Sequence, residues 1–179
     1  MFFVSDIYTT RPDNFKNELQ EVVYKTLEKL SIHYERVETD EAITMKECTL
    51  IDKKLNMKMV KTLFLCNRQK TSFYLFITCG AKRFNSKKFS SELGIPRVSF
   101  ADEALMYEML GTCVGAATIF SSLIDVNNKV KIIIDKDVLK EEYYGCSDGT
   151  TTGYMKIKTD DIVNKVLTYS NHTIGIIEM

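Results

Sequence analysis

VKTLFLCNRQKTSFYLFITC, residues 60–79, predicts two β-strands joined by a short loop. The apolar runs VKTLFLC and SFYLFITC are rich in β-branched and aromatic residues, which are typical of strands. The intervening loop NRQKT has the length of a hairpin connection. A single charge, Lys61, lies inside the first strand, although buried strands rarely carry an unpaired lysine. The position of Lys61 therefore needs a structural or functional explanation.

Outside this hairpin, predicted helices and strands interleave along the chain. The clearest helix repeats its apolar residues at helical spacing, with Asp13 or Asn14 as the expected cap. The segment 46–58 is polar and methionine-rich and shows no firm period. We expect helices over 12–32, 85–94, 99–111 and 159–170, helical turns in 135–143, and strands over 33–39, 129–135, 153–159 and 172–179. This pattern predicts an α/β (α+β) fold in one domain, residues 1–179, in which helices pack on the faces of a mixed β-sheet.

Composition restricts the class of protein. The 179 residues carry 24 basic and 24 acidic side chains, so the whole-chain charge does not indicate a nucleic-acid binder. Basic segments at 53–58 and 81–88 leave local patches open. The five cysteines form no C-x-x-C pair, which favours free thiols in a reducing compartment. The first residues lack the pattern of a signal peptide, and no apolar run is long enough to span a membrane, so we expect a cytoplasmic protein without a membrane partner.

Standard catalytic and metal-binding motifs do not occur in the sequence. The two histidines, His33 and His172, lie far apart, and neither has a cysteine or carboxylate at metal-ligand spacing. No P-loop, G-x-G-x-x-G or G-x-S-x-G pattern is found. We therefore expect neither a metal nor a cofactor.

Two glycine-rich segments are better candidates for a site. In GTCVGAATIFSSLID (111–125), small residues follow one another, which allows backbone amides to approach a ligand closely. YGCSDGTTTGY (144–154) combines glycines with hydroxyl side chains in a loop between predicted elements. Tight packing after a helix end is the alternative for the first segment, and a flexible turn is the alternative for the second.

Four ordered segments carry a resemblance to a known family. KTLFL (61–65) resembles the K-N-L-F-L strand of the YbaK/ProX editing domains, which are associated with prolyl-tRNA synthetase. The segments 89–111, 115–135 and 151–162 are similar to that family's L-G…L-S-F-A…L-G, G-x-x-x-P-F…D and N-T…I…D-L stretches. The likeness is colinear over about residues 13 to 179.

The resemblance implies a metal-independent aminoacyl-tRNA deacylase that acts in trans on mischarged tRNA, with alanyl- or cysteinyl-tRNA for proline as the expected substrates. Its expected partners are the 3′ acceptor end of the tRNA and prolyl-tRNA synthetase. By this resemblance Lys61 holds the tRNA 3′ end, and the loop at Gly115 offers amides to the ester, so that both border one cavity. The implied catalytic residues are Lys61, Gly115, Ala116, Ala117 and Thr118, and the implied substrate-binding residues are Thr62, Ile119, Ser121, Ser147, Thr151 and Thr152.

The sequence departs from the family pattern at three places. Ile119 stands where the family has proline, and Thr62 follows the strand lysine where asparagine is usual. Ser147 and Asp148 occupy about the positions of the family's His-Pro pair, and Thr151 replaces the asparagine that follows. These differences leave open two other functions on the same fold, a non-catalytic module that binds tRNA or a synthetase and an amino-acid sensor. The oligomeric state also stays open.

Overall fold

The computed structural model describes residues 1–42 and 44–179. The predicted hairpin is present, since its two strands pair antiparallel from Val60 opposite Cys79 to Cys66 opposite Phe73. The strands in chain order are β1 (Tyr34–Glu38), β2 (Val60–Asn67), β3 (Phe73–Cys79), β4 (Val98–Phe100), β5 (Val130–Asp135), β6 (Tyr143–Ser147), β7 (Gly153–Lys158) and β8 (Ile174–Ile177).

Within the described residues, these strands form two sheets rather than the one sheet that the sequence suggested. The larger sheet is mixed, with order β4-β2-β3-β5-β8. Strands β2, β3 and β4 pair antiparallel, whereas β5 pairs parallel to both β3 and β8. The smaller sheet, β1-β7-β6, is antiparallel. The predicted α/β (α+β) class with a mixed sheet is confirmed. The second sheet escaped notice because only the first two residues of β6 are strong strand formers, and Gly145, Cys146 and Ser147 follow them.

The helices differ from expectation mainly at their starts. The first helix begins at Glu18, later than predicted, because Asn17 accepts a hydrogen bond from the Gln20 amide at 2.8 Å and caps it. A helix also covers most of the aperiodic segment 46–58, where Thr44 and Glu47 form a capping box. The helices are α1 (Glu18–Lys29), α2 (Met45–Leu55), α3 (Ser86–Leu93), α4 (Glu103–Leu110), α5 (Thr159–Asp161) and α6 (Leu167–Tyr169), the last two joined by a π-helical turn (Ile162–Val166).

Smaller corrections concern the caps and the segment before α4. Asn85 caps α3, and the last predicted helix begins at Thr159, as expected. The predicted helix over 99–111 is divided into β4 and α4, since Asp102 accepts from the Leu105 amide at 2.9 Å and starts the helix there. The helix ends at Gly94 and Gly111 are as predicted, because both glycines adopt the left-handed conformation.

The core is divided by the larger sheet. One face, with Phe64, Leu75 and Ile77, packs against α1 and against the buried residues that follow α4. The other face, with Leu65 and Phe76, packs against α3. Strand alternation puts Phe64 and Leu65 on these opposite faces, so the hairpin has both faces covered over its middle. The start of β2 is different, because β4 pairs only with residues 65–67 and leaves the edge at 60–63 without a strand partner in that sheet.

Candidate functional site

A cavity of about 720 Å³ lies where the open edge of β2 meets the smaller sheet and α2. Its walls come from every part of the fold that surrounds that edge. They include the start of β2, the middle of α2, the end of β3, the segment after α4, and β6. Apolar side chains of the wall are Met59, Leu63, Phe64, Phe100, Met106, Val114 and Val138. A concave, mainly apolar space of this size with a few polar groups is typical of a small-ligand site.

Lys61 and Gly115 both line this cavity, although they approach it from different sides of β2. Lys61 shares its strand face with Leu63 and Leu65, which pack toward α3, while Phe64 on the other face packs toward the segment after α4. The cavity extends around the edge of the strand and so receives residues from both faces. The Lys61 ammonium donates a hydrogen bond to the Lys82 carbonyl. An ammonium has three N–H groups, so this contact leaves two for a ligand.

The segment 112–118 forms the opposite wall. Gly115 has a φ of 90°, a conformation that favours glycine, and a Cβ placed there would lie 3.7 Å from Thr151 Cγ2. No hydrogen bond between described residues engages the backbone N–H of Gly115 or Ala117, and both residues line the cavity. Both amides are therefore candidate donors to a bound oxygen.

Two buried hydroxyl groups fasten this segment to the turn that follows β6. Thr112 Oγ1 donates to the Gly149 carbonyl at 2.9 Å, and Thr118 Oγ1 donates to the Ser147 carbonyl at 2.8 Å. Thr118 also accepts from the Phe120 amide at 3.4 Å and precedes a 3₁₀ turn that starts at Ile119. The segment is therefore held by Thr112 and Thr118, although it lacks the proline of the family pattern.

The turn at 147–152 is built around the buried carboxylate of Asp148. One oxygen accepts from Gln20 Nε2 and Tyr24 Oη, both at 2.8 Å, and the other accepts from the Thr150 amide at 3.2 Å and the Thr150 hydroxyl at 2.8 Å. Only glycine fits at position 153, because a Cβ there would lie 2.2 Å from an Asp148 oxygen. Asp148 thus joins α1 to the turn at 147–152. This turn supports segment 112–118 through the hydrogen bonds of Thr112 and Thr118.

Cysteine is a poor candidate for a nucleophile at this site. Three of the cavity residues are cysteines, namely Cys48, Cys79 and Cys146. Burial is the main cause that raises the pKa of each of these thiols, and carboxylates nearby raise it further. The thiols are therefore protonated near neutral pH, and a protonated thiol is a weak nucleophile.

The hydroxyl groups and histidines offer no better nucleophile. Ser147 Oγ lines the cavity but donates to the Thr150 carbonyl at 2.7 Å and accepts from the Gly149 amide at 3.0 Å. His172 does not line the cavity and contacts Asp125 at 3.1 Å instead. Water is then the simplest nucleophile for a reaction in this cavity.

Two carboxylates also line the cavity. Glu141 forms an ion pair with Lys58 at 2.6 Å. Asp52, on α2, is half-buried, and its Oδ1 accepts from the Met59 amide at 2.9 Å. Burial raises the pKa of Asp52, and the Met59 hydrogen bond opposes this effect.

The structure brings together only part of the predicted site. Lys61, Thr62, Gly115, Ala117 and Ser147 line the cavity. The other predicted residues lie outside its lining. Ala116, Thr118, Ile119 and Ser121 are buried behind the wall, and Thr151 and Thr152 lie on the turn at 147–152.

The contacts of the residues outside the lining indicate structural positions. Ser121 Oγ donates to the Leu110 carbonyl at 2.8 Å, and Ile119 is fully buried in the core. Thr151 Oγ1 donates to Glu41 at 3.2 Å, and Thr152 Oγ1 accepts from the Lys16 ammonium.

The wall formed by α2 was not predicted from the sequence. Asp52 and Cys48 lie in the segment that seemed to lack a period, so neither was considered. A signal was present, because Thr44 and Glu47 have the spacing of a capping box and the buried pair Ile51 and Leu55 has helical spacing.

Fold and cavity together define a mixed α/β domain with a cavity where the larger sheet meets the smaller one. The chain belongs to a family with this architecture, since the family model described as "Aminoacyl-tRNA editing domain" matches residues 41–165. The resemblance to the YbaK/ProX editing domains is thereby confirmed.

Two curated relatives show how far the likeness extends. The prolyl-tRNA editing protein ProX of Acetoanaerobium sticklandii is 24% identical over 162 residues, which cover 90% of this chain and 98% of that protein. The prolyl-tRNA synthetase associated domain-containing protein 1 of Bos taurus is 30% identical over 125 residues, which cover 69% of this chain and 72% of that protein.

The fold is shared with solved structures as well. A protein described provisionally as a trans-editing enzyme for prolyl-tRNA synthetase superposes with a TM-score of 0.62 at 16% identity, covering 92% of this chain and 99% of that one. In the described part of the chain, no helix is both long and apolar enough to cross a membrane.

Proposed function

We propose that this protein is an aminoacyl-tRNA deacylase that hydrolyses the ester of mischarged tRNA in trans, with alanyl- or cysteinyl-tRNA for proline as substrate. Membership of the editing-domain family supports the reaction class. The observation that carries the proposal is that Gly115 and Ala117, whose amides have no hydrogen-bond partner among the described residues, line the same cavity as Lys61. A cation for a phosphate and amide donors for an ester carbonyl are what this substrate requires.

In this proposal a water molecule attacks the ester carbonyl carbon, and the amides of Gly115 and Ala117 donate to the developing oxyanion. The acyl–oxygen bond then breaks, and the departing ribose oxygen takes up a proton while the free amino acid forms. The neighbouring ribose hydroxyl assists the water, because the cavity wall offers neither a thiolate nor an unengaged serine. One such backbone donor is worth about 3–4 kcal/mol in comparable sites.

Lys61 acts at the mouth of the cavity rather than at the ester. Its ammonium is held by the Lys82 carbonyl and keeps two donors for the phosphate of the tRNA 3′ end. Prolyl-tRNA synthetase is the proposed partner that supplies the mischarged tRNA.

Selection between amino acids comes from volume in this proposal. The apolar walls formed by Met106, Val114 and Phe64 exclude side chains that are too large to fit with the terminal ribose. Exclusion by size is effective, whereas a difference of one methylene is worth only about 1–3 kcal/mol.

A deacylation assay tests the proposal. Wild-type protein is incubated with alanyl-, cysteinyl- and prolyl-tRNA for proline, and the remaining ester is measured with time. We expect hydrolysis of a mischarged species and a loss of roughly 10- to 100-fold in kcat/KM in Lys61→Ala, which is the cost of one hydrogen bond to a charged group.

Lys87→Ala is the matched control, since Lys87 is an exposed lysine on α3 outside the cavity lining. Binding of tRNA without hydrolysis of any species would instead support a non-catalytic module. Binding of free amino acid without tRNA would support a sensor.

A further inference from the structure

Asp52 is a half-buried carboxylate in the cavity wall whose charge is not balanced. One of its oxygens, Oδ1, accepts a hydrogen bond from the Met59 amide at 2.9 Å. No lysine, arginine or histidine among the described residues lies within ion-pair distance of Asp52. Burial raises the pKa of the carboxyl, which is the response of a group that loses water and gains no cation.

The other charged groups described in the cavity offer no unpaired anion to a positively charged ligand. Lys58 and Glu141 neutralise each other at 2.6 Å, and the Lys61 ammonium donates to the Lys82 carbonyl. Asp52 is thus the lining carboxylate, among the described residues, that a positively charged ligand would meet without displacing an ion pair.

The cavity therefore has two unlike walls. Helix α2 contributes an uncompensated anion, and segment 112–118 contributes the free amides of Gly115 and Ala117. A ligand that uses both walls carries a cation and a carbonyl oxygen. The aminoacyl ester has this arrangement, because its α-ammonium lies on the carbon next to the ester carbonyl.

We infer that Asp52 binds the α-ammonium group of the aminoacyl moiety and so orients the ester toward the amides of Gly115 and Ala117. This assignment rests on the proposed function. It gives the cavity a means of recognising what all aminoacyl esters share, while the apolar wall selects the side chain.

A structural role is the alternative for Asp52, since its bond to Met59 ties the end of α2 to the start of β2. Asp52→Asn separates the two roles. The asparagine oxygen can still accept the Met59 amide, but the negative charge is lost. An unchanged thermal unfolding midpoint in the variant would show that the tie between α2 and β2 persists.

The experiment compares two substrates that differ at the α-nitrogen, which is a charged ammonium in alanyl-tRNA and a neutral acetamide in N-acetylalanyl-tRNA. We expect Asp52→Asn to lower kcat/KM for alanyl-tRNA by roughly 10- to 100-fold, the range for a hydrogen bond to a charged group, and to leave the value for N-acetylalanyl-tRNA within about twofold. Glu92→Gln, an exposed carboxylate of α3 outside the cavity lining, is the control and should change neither value.

An equal loss for both substrates, or no loss for either, would overturn the assignment. Binding of amide-linked analogues by calorimetry separates this failure from a failure of the proposed function. Wild-type protein should bind alanylamino-adenosine more tightly than the propionyl analogue, which lacks the ammonium, and Asp52→Asn should remove the difference. A wild type that binds in this way but hydrolyses no ester contradicts the deacylase and retains the ammonium site.

Discussion

Gly115 illustrates how one residue serves both the fold and the proposed chemistry. Its φ of 90° turns the chain at the wall of the cavity, while the space beside it stays open. A Cβ would meet only Thr151 Cγ2, at 3.7 Å. A side chain at position 115 would therefore cause no clash, but it would disfavour the positive φ. A change in φ would alter the direction of the neighbouring amides.

Gly115→Ala should destabilise the protein by about 1 kcal/mol and reduce deacylation by at least tenfold, since an L-residue disfavours this φ and shifts the donors. Urea unfolding and kcat/KM measure the two effects. Gly94→Ala is the control, because Gly94 also has a positive φ, of 60°, but lies outside the cavity lining, and a Cβ added there would have no atom within 4 Å. Equal loss of hydrolysis in both variants would show that the effect at 115 is only one of stability.

At the scale of elements, the two glycine-rich segments of the sequence form one unit. Thr112 and Thr118 donate to carbonyls of the turn at 147–152, and Asp148 ties that turn to α1. The wall of the cavity is thus fixed by hydrogen bonds that run between elements far apart in the chain. Loss of one bond should loosen the wall as well as the fold.

Thr118→Val tests this connection, because valine keeps the shape but leaves the Ser147 carbonyl and the Phe120 amide without the Thr118 hydroxyl. We expect a loss of about 1–3 kcal/mol in the free energy of unfolding, the cost of a buried group left unpaired, and a lower kcat. Thr168→Val, at an exposed helix position, should stay within about 0.5 kcal/mol of wild type. Unchanged stability in Thr118→Val would contradict the role of this bond.

The sequence predicted those elements whose signal is local. The hairpin at 60–79 was found because both strands are covered on two faces and so consist of continuous apolar runs. Strand β6 and helix α2 were not found, since only the first two residues of β6 are strong strand formers and α2 lies in a polar segment without a firm period. The site was predicted only where short sequence motifs resemble the family, at Lys61 and Gly115. Asp52 belongs to no such motif, and tertiary packing alone brings it to the cavity.

At the scale of the whole molecule, one half-buried lysine joins the end of the chain to the larger sheet. Lys82 Nζ donates to Asp135 at 2.8 Å, Asp137 at 2.7 Å and the Met179 carbonyl at 3.0 Å. The Lys82 carbonyl also accepts a hydrogen bond from the Lys61 ammonium, so this cluster supports the wall of the cavity at Lys61. Its ionisation state should therefore affect both stability and ligand binding.

The cluster makes stability depend on acid. Hydrogen bonds from Lys140 and Lys82 lower the pKa of Asp137 from 3.8 to about 2. Burial opposes ionisation of Asp135, yet hydrogen bonds from Lys82 and Thr78 hold its pKa below the ordinary value. Carboxylates with a lowered pKa in the folded state stabilise it above the unfolded pKa, and this contribution is lost as the pH falls through the folded pKa.

The free energy of unfolding should therefore fall between about pH 4 and pH 2, where the unfolded chain takes up protons that folded Asp137 and Asp135 resist. Urea unfolding at intervals of pH measures this slope. Asp137→Asn should be less stable at neutral pH and should show a shallower decline in acid, because one of the two groups no longer titrates. Asp13→Asn, at an exposed position without an ion pair among the described residues, should keep the wild-type slope. If the free energy of unfolding of Asp137→Asn fell with acid as steeply as that of wild type, the acid response would arise from groups other than Asp137.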